Sequence, residues 1–235
     1  MIILKLFFIV FLLSTLLCSS KLSAEEVWKI ASLNWQPYAG EELPDHGSSI
    51  KILRELLKQA GITLVVEFYP WSRAKHLVRA NTEYVGIFPA WPEDIFDGAI
   101  ISPAIDWSII SILKRKATVV NFNSIDQIFE NYSIGVVNNY LYPKIFADAI
   151  KQYPESVEGA PNELSLLRKL AVGRGDVAIT DPNVMFYLAK QQGIFDIEVV
   201  KHVMKKELIL AFRDDVENRK RLELLTKLQK IRLSR

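Results

Sequence analysis

The side chains able to do chemistry in this chain fall into short clusters of aromatic and polar types: Trp35 and Tyr38, Trp71 and Arg73, Trp91, Ser102, Asn139 and Tyr140, and Asp181. These types suit non-covalent capture. Indole and phenol rings stack on flat or apolar groups while keeping a polar handle. A guanidinium grips a carboxylate through two parallel bonds, and a carboxylate accepts from several donors at once. Catalytic and metal-binding patterns are not visible. His46, His76 and His202 show no metal-ligand spacing, and no Ser–His–acid or Cys–His signature occurs. Gly173-Arg174-Gly175 ends a helix and precedes a strand, the reverse of a phosphate-binding loop. No cofactor and no metal is expected, and catalysis is not the first reading.

The elements that must carry these residues alternate in type. A strand is expected at 27–33, with Trp35 and Tyr38 in the loop that leaves it. Ser48 or Ser49 then caps a helix with a stripe of Ile50, Leu53, Leu57 and Ala60, closed by Gly61. Residues 63–69 are β-branched and aromatic, hence strand. Pro70 ends that strand, and Ser72 caps a short helix turning Ala74, Leu77 and Val78 inward. Strands follow at 84–88 and 107–113. After the charged break Lys114-Arg115-Lys116 the pattern restarts, with a strand at 133–137 and helices at 142–153 and from Asn162 to Gly173. A short strand at 176–180 leads to a helix opened by Asp181-Pro182. Strands at 194–200 and 207–212 and a terminal helix bearing Leu222, Leu225 and Leu228 complete the chain. Such alternation predicts an α/β layer structure with a largely parallel sheet.

Composition narrows the setting. Residues 1–24 read as a secretory signal: Lys5, an apolar core over 6–17, and a cleavage site at Leu22-Ser23-Ala24. The apolar core falls short of the roughly 20 residues a membrane span needs. Cys18 follows Leu17, where a lipoprotein signal has a small residue, so lipid attachment is not expected. Removing 24 of 235 residues leaves 211 and no cysteine, which excludes disulfides and thiolate metal sites from the mature chain. The net charge of +2 disappears with Lys5 and Lys21. A neutral chain gives no electrostatic reason to expect nucleic acid or a membrane surface as partner. A periplasmic monomer is expected.

Four clusters in this order, behind an export signal, resemble the family 3 periplasmic solute-binding proteins. They are Trp35-Gln36-Pro37-Tyr38, Pro70-Trp71-Ser72-Arg73-Ala74, Ile101-Ser102-Pro103 and the run from Gly173 to Asp181. The Pro-Trp-x-Arg-Ala string is similar to one branch of that family. The resemblance implies two α/β lobes, the chain crossing near 115–120 and returning near 200–205. Lobe 1 would hold residues 25–115 with 201–235, and lobe 2 residues 116–200. It further implies capture of a small polar, amino-acid-like solute between the lobes for an ABC transporter permease.

The same resemblance sets the expected site. Trp35 stands where an aromatic stacks on solute, Trp91 where the cleft is lined, and Asp181 where the ligand ammonium is accepted. Asn139 occupies a position usually held by glycine. Each has a structural alternative: packing for the two tryptophans and Tyr38, a local cap for Ser102, a helix N-cap for Asp181, a solvated first-turn position for Arg73. Trp71 stands just before a helix N-terminus, where free N–H groups favour an anionic group. The family's carboxylate-clamping arginine lies seven residues before the serine, and here that position is Ile95. The expected C-terminal closing segment is also missing after Leu228. Two other functions stay open: a periplasmic sensor or partner protein, and a cyclohexadienyl-dehydratase-like enzyme on the same scaffold.

Overall fold

The structure is a computed structural model, and it describes residues 26–233. The expected signal peptide over 1–24, with Cys18, lies outside the described residues.

Three parallel strands begin the sheet. β1 (Glu26–Ser32) lies between β2 (Ile62–Phe68) and β3 (Gly86–Ala90). Helix α1 (Ser48–Lys58) joins β1 to β2, and α2 (Trp71–Ala80) joins β2 to β3. α1 buries Ile50, Leu53, Leu56 and Leu57, one helical face. Ala60 lies beyond its end and is exposed, so Leu56 takes the place expected of it. Ser48 and Ser49 do not cap this helix. Its first N–H groups, those of Ser48 and Ser49, donate to the carbonyls of Pro37 (3.0 Å) and Tyr38 (3.0 Å). The preceding loop thus satisfies the donors that a side-chain cap would otherwise meet.

The second half repeats the motif. β6 (Ile134–Val137) lies between β7 (Val157–Ala160) and β8 (Val177–Thr180), all parallel. Four helices flank it: α3 (Ile125–Asn131), α4 (Lys144–Gln152), α5 (Glu163–Ala171) and α6 (Pro182–Gln192). Asn162 and Asp181 cap α5 and α6, as their sequence positions indicate. The buried face of α5 is Leu166, Leu167 and Leu170, with Leu164 only partly covered.

Two long strands join the halves. β5 (Asp106–Arg115) pairs antiparallel along its length with Ile197–Leu208 of β9 (Ile197–Arg213), giving the order β2-β1-β3-β9-β5-β8-β6-β7. The short β4 (Ala99–Ile101) adds to the far end of β9, and α7 (Val216–Leu233) packs Leu225 and Leu228 inward. The two strands expected at 194–200 and 207–212 are one. Lys201, His202 and Lys205 between them are exposed. An edge facing water tolerates charge without ending the ladder, because the hydrogen bonds belong to the backbone. Register shifts fall between Ile110 and Ser111 and between Ile112 and Leu113, leaving Val203 and Val200 of β9 surplus to the pairing. β4, β7 and α3 are additional to the sequence reading; α3 begins at Ser124, whose hydroxyl accepts from the Gln127 N–H at 3.2 Å.

Candidate functional site

The loop after β1 is held tightly. Trp35 and Ala39 exchange backbone bonds of 2.8 and 3.1 Å, forming a closed turn. Gly47 supports it from below: its φ is 105°, and a Cβ there would stand 2.6 Å from the Tyr38 carbonyl oxygen. Only glycine fits such a position without strain. Trp35 and Tyr38 are consequently fixed side by side, ring centroids 4.7 Å apart.

Both side chains reach the opposite half of the molecule. The Trp35 indole N–H donates to Glu163 Oε1 at 2.7 Å, and the Tyr38 hydroxyl donates to Asp181 Oδ2 at 2.9 Å. Tyr38 also accepts from the Asn183 amide at 2.8 Å. Asp181 is fully buried and its acceptor sites are filled. Oδ1 receives the N–H groups of Asn183 and Val184, and Oδ2 receives Tyr38 and the Ile109 N–H. Burial raises the Asp181 carboxyl pKa against these bonds, and burial beside Asp181 raises that of Tyr38.

Behind Trp35 runs a chain of rings. Trp91 meets Trp35 edge-on at 6.0 Å and Tyr140 at 5.9 Å, and its N–H donates to Ser108 Oγ at 2.9 Å. Tyr140 closes the circuit by donating its hydroxyl proton to Glu163 Oε1, the atom that also accepts from Trp35. Glu163 is 5% exposed, and burial raises its pKa. A space of about 20 Å³ remains among these rings, lined by Trp35, Trp71, Trp91 and Tyr140. That is room for a water-sized group.

A larger cleft of about 340 Å³ opens beside it. From the first half it takes Leu33, Asn34, Phe68, Tyr69 and Trp71, and from the second Val137, Asn139, Tyr140, Asn162 and Glu163. This is the volume range of small-ligand sites. Trp71 is the first residue of α2 rather than a residue before it, and its indole N–H donates to Asp94 Oδ2 at 3.0 Å. Asp94 is in turn paired with Lys75.

The structure therefore brings Trp35, Trp71, Trp91, Asn139 and Tyr140 to the two spaces. Tyr38 and Asp181 bond to each other instead. Arg73 is exposed, its guanidinium 5.2 Å from the Tyr69 ring centroid, outside the cleft lining. Ser102 is buried in the turn before β5, accepting from the Leu210 N–H and donating to the Pro103 carbonyl. Ile95 packs partly buried near Trp71, Ala74 and Phe96. Glu163 escaped the sequence reading. A glutamate in the first turn of a helix is expected from the helix dipole alone, so its burial left no local sign. Among the described residues no group of three histidine, cysteine or acidic side chains is placed to hold a metal ion.

No family model matches the chain, and no curated protein matches its sequence. Solved structures do match. A histidine kinase sensor domain with similarity to periplasmic binding proteins superposes with a TM-score of 0.73, covering 89% of this chain and 92% of that one at 14% identity. An ancestral arginine-binding protein bound to arginine gives 0.71 over 88% and 92%, also at 14% identity. An ABC uptake transporter substrate-binding protein from Streptococcus pneumoniae with bound histidine gives 0.67 over 87% and 85% at 14% identity. At these identities the likeness is one of architecture. The chain has the two-lobed, type II periplasmic binding protein fold.

Proposed function

We propose that this protein is a periplasmic solute-binding protein that captures a small polar, amino-acid-like solute between its lobes, without chemistry, and hands it to an ABC transporter permease. The observation that carries this reading is the 340 Å³ cleft, whose walls come from both halves of the chain. Lobe 1 is 25–115 with 201–235 and lobe 2 is 116–200, linked through β5 and β9. A site shared between two lobes makes closure depend on ligand, because solute adds contacts available only in the closed state. Trp35, Trp71, Trp91, Asn139 and Tyr140 are the proposed contacts. Tyr38 and Asp181 act in holding the lobes together, and Arg73 and Ser102 stay at the margin. The protein works as a monomer, freed of its signal peptide.

A thermal-shift screen of refolded, ligand-free protein tests this. Saturable stabilisation by one class of solute is expected. Silence across amino acids, polyamines, sugars and organic acids overturns it.

The similarity to a sensor domain favours a second reading, in which cleft occupancy is reported to a membrane sensor. Affinity capture from membranes separates the two by recovering permease components or a sensor.

A further inference from the structure

Glu163 is a buried carboxylate on the wall of an open cleft, and no cation of this protein pairs with it among the described residues. Both side-chain donors it receives are neutral, the Trp35 indole and the Tyr140 hydroxyl, and both fall on one oxygen, Oε1. The charge nearest in influence is another carboxylate, Asp181. A buried ionised carboxylate without a cationic partner is costly, and proteins ordinarily supply the partner. The two other buried carboxylates of this region are provided for differently: Asp94 is matched by Lys75, and Asp181 has donors on both of its oxygens, four in all.

The rest of the lining has the same sense. Among the described residues no lysine, arginine or histidine lines the cleft, and its neutral polar side chains include three asparagines. Phe68, Tyr69, Trp71 and Tyr140 supply aromatic surface. The polar tips of Tyr69 and Trp71 are engaged by Glu67 and Asp94, so what these two offer a ligand is ring. Aromatic faces attract cations, most strongly where water is excluded.

We infer that the ligand supplies the missing cation: the cleft takes a compound with an ammonium group, primary or quaternary, which pairs with Glu163 against the aromatic wall. This rests on the solute-binding reading and narrows it. The cationic group is obligatory and an α-carboxylate is not, since Ile95 offers none of the charge that would clamp one.

Matched probes test it on the whole mature protein by calorimetry. The pairs are putrescine with 1,4-butanediol, and choline with 3,3-dimethyl-1-butanol, each differing in charge at nearly constant shape. Binding of at least one cation with its neutral partner about tenfold or more weaker is expected. Glu163→Gln keeps an oxygen acceptor for Trp35 and Tyr140 and removes the charge. It should weaken the cationic probe about tenfold or more and leave the fold intact by circular dichroism. Equal binding of cation and neutral partner overturns the inference, as does an unchanged affinity in Glu163→Gln. Binding of anionic or neutral solutes with no cation bound overturns it while the solute-binding reading stands. No binding by any solute overturns both. Should the variant not fold, the matched pairs on the native protein decide alone.

Discussion

The Tyr38 hydroxyl donates to the Asp181 carboxylate across 143 residues of sequence, and neither group is free for another task. The pair joins a loop fixed by α1 to the cap of α6. Removing the hydroxyl in Tyr38→Phe leaves a buried carboxylate short of one donor, a loss of about 1–3 kcal/mol. Asp181→Ala removes the same bond and the cap of α6, and capping adds about 0.5–2 kcal/mol. Urea denaturation should show both midpoints lowered, Asp181→Ala further. Equal midpoints would mean that the cap contributes nothing.

Arg73 and Trp71 are two residues apart and should behave differently. Arg73→Ala removes an exposed side chain and should move stability by no more than about 0.5 kcal/mol. Trp71→Phe takes a donor from buried Asp94 and reshapes both spaces, at about 1–3 kcal/mol. Thermal melts compare them directly. An Arg73→Ala protein as destabilised as Trp71→Phe contradicts the solvent-facing position of the guanidinium.

Acid stability should depend on Glu67. Bonds from Lys29, Tyr69 and Tyr84 lower its pKa from 4.5 to about 2. A carboxyl lowered in the folded state binds fewer protons there than in the unfolded chain. Its stabilising contribution is present above 4.5 and is lost as pH falls towards 2. Denaturation midpoints followed over that window should drop in the native protein and flatten in Glu67→Gln. An unchanged slope would rule out the assignment.

Gly86 lies where β3 crosses close to β9. A Cβ at this position would stand 2.4 Å from the Ala211 carbonyl oxygen, a backbone atom with nowhere to go. Gly86→Ala should cost about 1–3 kcal/mol through forced separation of the two strands. Hydrogen exchange should quicken at the β3–β9 ladder first; protection unchanged there would show that the strands absorb the methyl group.

Much of this architecture was legible because local chemistry agreed with it. Ile50, Leu53 and Leu57 of α1, Leu167 and Leu170 of α5, and the caps Asn162 and Asp181 sit where their sequence contexts point. The continuity of β9 was hidden, since Lys201, His202 and Lys205 look like a break to any reading by hydrophobic pattern. Trp35, Trp71, Trp91 and Tyr140, which line the smaller space, stood out as aromatics near the carboxyl ends of strands. Glu163 did not, because nothing near it in sequence distinguishes a buried first-turn glutamate from a solvated one. The occupation of Asp181 depended on Tyr38 and Ile109, partners far away in the chain.

The surplus residues Val203 and Val200 have a consequence for chain length. A bulge bends its strand and increases the local twist, and here two of them sit within the stretch that joins the lobes. Deleting Val203 would let Met204 and His202 follow one another opposite Ile110 and Ser111, removing one bulge and leaving the other at Val200. Deleting Lys206 instead would reverse the facing of neighbours such as Leu208, because side chains alternate with each residue. One shortening would straighten the link and reset the angle between the lobes; the other would scramble the core. In this segment, counting residues and setting the lobe angle are the same operation.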